Sequence, residues 1–296
     1  MTHFSTTTPH ADEESIEYCI AAGNDNAKVI VPPKIQVQGL GYHRGDSPPI
    51  IDSATFELMK GENLAVIGPN GSGKSTLLRL LAGILSPTFG EVHYDAIPLR
   101  QLSLRQRATK IAVVNQHETP DPRLSVRDYV RLGALPYESH RSLEAINTSV
   151  EQALTTMNLQ QLSNKAMHRL SGGERQKAHI ARSLCQEPEV LLLDEPTNHL
   201  DPKAKGEVLS CIVNLGLTTV TVLHELSLAA QMCDQLLVLE SARLRAFGPP
   251  QTVLTSSLVD SVFGVELHHF RHPREHRSLL CLDIPLLRNV QSTETI

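Results

Sequence analysis

Apolar positions along this chain follow two rhythms in turn, that of a half-buried strand and that of a helix face. Lys34 to Leu40 largely alternates apolar and polar residues (Ile35, Val37, Leu40) and predicts a strand. After the loop Gly45-Asp46-Ser47-Pro48-Pro49, a second strand is predicted from Ile50 to Leu58, closed by the turn Lys60-Gly61-Glu62. Asn63-Leu64-Ala65-Val66-Ile67 is a short, nearly continuous apolar run, the pattern of a parallel strand covered on both faces. Val190 to Leu193, Thr218 to Leu223 and Gln235 to Leu239 read as further strands. Between them the period lengthens. Thr76 to Leu85, Leu143 to Leu162, Glu174 to Cys185, Lys205 to Leu215 and Glu225 to Cys233 read as helices. Val126, Tyr129 and Val130 are spaced to share one helical face. Strands and helices in alternation imply an α/β core with a parallel sheet.

Composition narrows the class. The 296 residues allow one large domain or two small ones. Residues 1 to about 28 are rich in Thr, Ser and acids, which predicts a mobile tail, and Pro32-Pro33 marks the entry to folded structure. Trp is absent and the formal net charge is -5, so no nucleic-acid partner is expected. The five cysteines are odd in number and no two have CxxC spacing, which points to neither a disulfide framework nor a zinc site. Cys185, Cys211 and Cys233 read as small buried hydrophobes, and a reducing compartment fits. No apolar run approaches the roughly 20 residues that cross a bilayer. The early acids Asp12, Glu13, Glu14 and Glu17 do not read as a signal peptide. If the protein serves transport, the membrane part is expected on another chain.

The candidate chemistry begins directly after the strand that ends at Ile67. Gly68-Pro69-Asn70-Gly71-Ser72-Gly73-Lys74-Ser75 matches GxxxxGK[ST], and a helix from Thr76 follows. The glycines let successive backbone N–H groups face one concavity, and the helix N-terminus adds its dipole. Lys74 can reach the β- and γ-phosphates of a nucleotide, and the Ser75 hydroxyl can bind Mg²⁺. Val190-Leu191-Leu192-Leu193-Asp194-Glu195 is an apolar strand ending in two carboxylates. Asp194 is placed to hold the Mg²⁺ shell and Glu195 to polarise an attacking water, although adjacent acids there also fit a solvated turn. Ser171-Gly172-Gly173 opens the helix that begins near Glu174, and is either an ordinary cap or a second anion site. No phosphate loop accompanies these residues locally, so an anion there must come from elsewhere.

The run Leu170-Ser171-Gly172-Gly173-Glu174-Arg175-Gln176 lies between the phosphate loop and the acidic strand end. That order resembles the ATP-binding-cassette family, whose signature reads LSGGQ, and the likeness extends from about Ile35 to Gly248. The resemblance implies an α/β P-loop NTPase fold with a RecA-like core, an antiparallel β subdomain and a helical signature subdomain at about 117–178. The ATPase domain would then span 34–270, between a tail at 1–33 and an extension at 271–296. It also implies ATP and Mg²⁺ as cofactors, and a homodimer in which Ser171, Gly172 and Gly173 touch the γ-phosphate of ATP held by the second copy. Asp201, in Pro196-Thr197-Asn198-His199-Leu200-Asp201, resembles the aspartate that contacts the partner cassette. His224 matches the switch histidine at the γ-phosphate, followed by Glu225 where many relatives have Asp. Gln116 resembles the glutamine that touches Mg²⁺ or the attacking water. Tyr42 resembles the aromatic that stacks on adenine. Read alone, a histidine after a strand such as His224 is more often a satisfied structural residue, and the alternative for Tyr42, which stacking outweighs, is an exposed strand residue.

One phosphate loop, no membrane helices and about a hundred residues between Lys74 and Ser171 point to a free-standing importer subunit. Exporters commonly fuse membrane helices, cassette translation factors carry two cassettes, and DNA-repair relatives insert a long coiled coil. Leu124 to Tyr137 and Phe247 to Val265 resemble the group serving iron–siderophore, haem and cobalamin uptake, with Ala134 where Arg is usual. The resemblance implies an integral-membrane permease, a binding protein on the outer side, and a place on the cytoplasmic face of the bacterial inner membrane. Iron–siderophore is the expected cargo. Haem, cobalamin, zinc or manganese import, or a regulatory ATPase without a permease, are the alternatives. His268, His269, His272 and His276 lie near the C-terminus, and His268 and His272 could bind a metal if they shared a helical face. Pro273 interrupts such a helix and only Glu275 adds an acid there, so no metal site is expected.

Overall fold

The strands β3 (Asn63–Ile67), β7 (Val190–Asp194) and β8 (Thr218–Val222) are buried at every position, which is why their sequences lack alternation. This computed structural model describes residues 32–116, 120–137, 140–275 and 278–285. The chain divides at Pro32, so nearly all of the expected tail, with Cys19, lies outside the described residues, as does His276. With β6 (Ile111–Val114) and β9 (Gln235–Glu240), the buried strands form a parallel set in the order β6-β7-β8-β3-β9. Two threonines of β8 bond neighbouring groups: Thr219 Oγ1 donates to Asn63 Oδ1 at 2.7 Å, and Thr218 Oγ1 accepts from Gly61 N at 2.8 Å.

Pleating divides each strand between two cores. Leu64, Val66, Leu192, Val220 and Val222 meet Leu77, Leu78, Leu80 and Leu81 of helix α1 (Lys74–Leu81) on one face. Ala65, Ile67, Leu191, Leu193 and Val238 meet the opposite helices. Those include α5 (Gly172–Leu184), α6 (Pro202–Val213) and α7 (Leu226–Met232). The sheet is extended by an antiparallel set: β10 (Arg243–Gly248) beside β9, then β2 (Ile51–Leu58), β1 (Ile35–Tyr42), β4 (Phe89–Tyr94) and β5 (Ile97–Pro98). The two sets join where β9 pairs antiparallel with β10, and β10 meets β2 through one parallel pair, Arg243 against Asp52. Buried Lys34 fastens them at another point, bonding Asp95 at 2.7 Å beside β4 and pairing with Glu189 before β7. The short helix α2 (Leu104–Lys110) leads into β6.

The helical segment holds α3 (Val126–Arg131), α4 (Leu143–Thr156) and the start of α5. Val126, Tyr129 and Val130 share a buried face, as their spacing predicts. The Tyr129 hydroxyl bonds His179 Nδ1 at 2.7 Å, joining α3 to α5. The helix expected to run on to Leu162 stops at Thr156, because Asn158 takes a left-handed φ of 54° and only a short turn follows. The stop after α1 is also earlier than Leu85: Gly83 turns left-handed at 66°. Two short helices, α8 (Pro250–Val253) and α9 (Ser256–Phe263), precede a separate hairpin of β11 (Glu266–Arg271) and β12 (Ser278–Asp283). The hairpin runs across residue 271, the expected start of the C-terminal extension.

Candidate functional site

Beyond β3 the chain must turn at once into α1, and two glycines make that turn possible. At Gly68 a Cβ would stand 2.0 Å from the Leu239 carbonyl oxygen; at Gly73, with φ 104°, it would stand 2.4 Å from that of Ile50. Both contacts are impossible for any side chain, so the loop from Gly68 through Pro69, Asn70, Gly71 and Ser72 is drawn tight against β9 and the start of β2. Helix α1 begins at Lys74, two residues before the expected Thr76, and Gly73 gives it no side-chain cap. Its first N–H groups are thereby left for an anion at the loop.

Lys74 is buried, and its ammonium donates to the Gly68 and Pro69 carbonyls at 2.8 and 3.0 Å. Burial pushes its pKa down, and the nearby charges of Glu195 and Asp194 oppose that shift. The Ser75 hydroxyl donates to Asp194 Oδ1 at 3.1 Å, so helix α1 and the end of β7 meet there. A hydroxyl beside a carboxylate is an oxygen donor pair that fits Mg²⁺.

Glu195 follows in the left-handed conformation, φ 51°, and its N–H bonds the Val222 carbonyl at the end of β8. That twist turns its carboxylate into a crossing of three loops. Gln116 Nε2 and Asn198 Nδ2 donate to Oε2 at 2.5 and 3.1 Å, and His224 Nε2 pairs with Oε1. The structure thus brings Gln116, Glu195 and His224 together, from segments far apart in sequence. It also adds Asn198, which the sequence reading quoted within a motif and gave no role. Only its position three residues after Glu195 hinted at it.

The remaining candidates stand apart from this cluster. Ser171 caps α5 through a reciprocal pair with Glu174, at 3.3 Å from Glu174 N and 2.8 Å from Ser171 N, so the helix starts at Gly172 rather than Glu174. A Cβ on Gly172 would lie 3.2 Å from Leu200, and one on Gly173 would lie 3.0 Å from Ala204, so the two glycines allow close packing on the loop before α6 and on its first turn. Asp201 caps α6, accepting from Ala204 N at 2.9 Å, with Pro202 in the first turn. Among the described residues, no hydrogen bond or ion pair joins Ser171, Gly172 or Gly173 to the phosphate loop. A cleft lined by Gln116, Gly172, Arg175, Gln176 and Asn198 lies between α5 and the loops that follow β6 and β7. Tyr42 is half-buried at the end of β1, pairing with Ile51, and Thr76 lies in the first turn of α1.

Asp194 carries a measurable signature. Burial raises its carboxyl above the usual range, the Ser75 bond opposes this, Glu195 adds to it, and Arg79 and Lys74 oppose it. A carboxyl whose folded pKa exceeds its unfolded value destabilises the fold when ionised, from the unfolded value near 3.8 upward. Asp194→Asn is expected to raise the melting temperature at pH 7 without divalent cations, with the gain shrinking toward pH 4. A lower melting temperature at pH 7 would contradict this sign.

Comparison with known proteins gives the same pattern. The family described as ABC transporter matches residues 51–198. The chain is 37% identical over 254 residues to the hemin import ATP-binding protein HmuV of Pseudomonas entomophila, covering 83% of this chain and 98% of that protein. A solved structure described as of the metal-chelate type of ABC transporter, inward-facing, superposes with a TM-score of 0.73 at 28% identity, covering 84% of this chain and 97% of that one. The ATP-binding cassette MJ0796, solved as a dimer in a post-hydrolysis state with ADP and phosphate, gives 0.64 at 27% identity, covering 73% and 98%.

Proposed function

The chain belongs to the ABC transporter family as an ATP-hydrolysing importer subunit, and from that premise we propose that it drives haem uptake through a separate permease. The observation that carries the ATPase half is the Glu195 carboxylate, held by Gln116, Asn198 and His224 one residue past the Ser75–Asp194 pair.

In this reading Lys74 and the N–H groups of Gly68 to Thr76 neutralise the β- and γ-phosphates of ATP, while Tyr42 stacks on the adenine. Ser75, Asp194 and Gln116 would hold Mg²⁺, which would offset the charge of the phosphate oxygens. Glu195 takes the proton of a water whose oxygen bonds the γ-phosphorus as the bond to ADP breaks. His224 positions that carboxylate and the γ-phosphate. Ser171, Gly172 and Gly173 supply donors to ATP on a second copy, and Asp201 stands at the same interface. Two-fold symmetry then makes two composite sites. Closure on two ATP molecules would move the permease halves, and hydrolysis would reopen them.

Haem takes precedence over siderophore iron because the relative from Pseudomonas entomophila is named for hemin import. The partners in this proposal are a second copy, a permease and an outer binding protein, at the cytoplasmic face of the membrane. Among the described residues, no helix is long and apolar enough to cross a membrane itself. The test is iron uptake in cells whose sole copy carries Lys74→Ala. Loss of uptake from haem, with uptake from ferric siderophore intact, is expected. The opposite pattern would reassign the cargo to a siderophore, and intact uptake of both would overturn the haem proposal.

A further inference from the structure

The hairpin of β11 and β12 is a two-stranded sheet separate from the ten-stranded one. Its register sets Glu266 opposite Asp283 and His268 opposite Cys281. Residues directly opposite, and residues two apart on one strand, share a face. Two carboxylates, an imidazole and a thiol therefore occupy the same side. The other side carries Leu267, Leu280 and Leu282, which pack on the core and turn the polar side toward solvent. One ligand atom from each of Glu266, His268 and Asp283 lies within 4.8 Å of the other two. His268 Nε2 stands 3.6 Å from Glu266 Oε2. Ligands about 2.0–2.2 Å from a tetrahedral ion stand about 3.3–3.6 Å apart, so side-chain rotation alone closes the set.

The helical pairing of His268 with His272 does not form. His268 lies on a strand, and His272 Nδ1 accepts the N–H groups of Arg274 and Glu275 at 3.2 and 2.9 Å, closing a turn. Alternation sends His269 to the opposite side. The acids that reach His268 are not Glu275 but Glu266, two residues back on the same strand, and Asp283, which only the strand register brings near.

We propose that Glu266, His268 and Asp283 bind a divalent first-row transition-metal ion, with zinc as the reference. The imidazole selects against Mg²⁺ and Ca²⁺, which take oxygen ligands, and the Cys281 thiol on the same side strengthens that preference. An isolated two-stranded hairpin is marginal in water. An ion linking the first residue of β11 to the last of β12 clips its open end.

The test is calorimetric titration of the purified full chain with zinc chloride after removal of bound metal. Saturable binding of one ion by this site is expected. His268→Ala and Asp283→Asn are each expected to lower the affinity at least about tenfold. His269→Ala is expected to leave it unchanged. Absence of saturable heat, or unaltered affinity in both His268→Ala and Asp283→Asn, would overturn the site. Parental ATP hydrolysis by these variants certifies that they fold, and either one alone suffices for the comparison.

Discussion

Glu195→Gln is expected to bind ATP with near-parental affinity, to remain locked as a dimer in its presence, and to lose turnover by about a hundred- to ten-thousandfold. The carboxylate sits where Gln116, Asn198 and His224 converge, one residue beyond the buried Asp194. An amide keeps the shape and retains an acceptor oxygen, but it cannot take a proton from water. Binding of the phosphates, which rests on Lys74 and the loop, is therefore left in place while the proton transfer is removed. Phosphate release under saturating ATP measures the rate, and gel filtration with and without ATP measures the dimer. Hydrolysis at the parental rate would remove Glu195 from the base role.

Lys74→Ala is expected to raise the Kd for ATP by about ten- to a hundredfold. A hydrogen bond to a charged group contributes about 1.5–3 kcal/mol, and about 1.4 kcal/mol is a tenfold change. The ammonium is already held across the loop mouth by the Gly68 and Pro69 carbonyls, so little order is lost when it turns to phosphate. Its lowered pKa has a sign that separates binding from folding. Burial disfavours the charged form, so that form costs folding free energy at neutral pH, and the cost vanishes only above the ordinary value of 10.5. Weaker ATP binding should therefore not reflect a collapsed fold. Nucleotide titration beside a melt without nucleotide tells the two apart, and unchanged affinity would count against the phosphate role.

The parts of this protein that were legible in its sequence are those written within a few consecutive residues. β3, β7 and β9 announced themselves as apolar runs because a strand covered on both faces needs apolar side chains on both. The phosphate loop was legible because only glycine survives 2.0 Å from a carbonyl at position 68. β4, β5, β10 and β11 were not, since half-exposed strands such as Arg243–Gly248 have no continuous apolar run and gain their identity from partners. Glu266 beside Asp283 is the extreme case.

The sequence by itself determined the α/β class, the phosphate-binding turn and the order of chemically committed residues, because these follow from local sterics and from apolar spacing. Only the tertiary structure decided that Gln116 and His224 meet on Glu195, and that His268 faces Asp283 rather than His272. Those contacts depend on strand order, register and a single left-handed residue at Glu195. Each couples positions far apart in the chain, and their energies exist only once the intervening chain has folded.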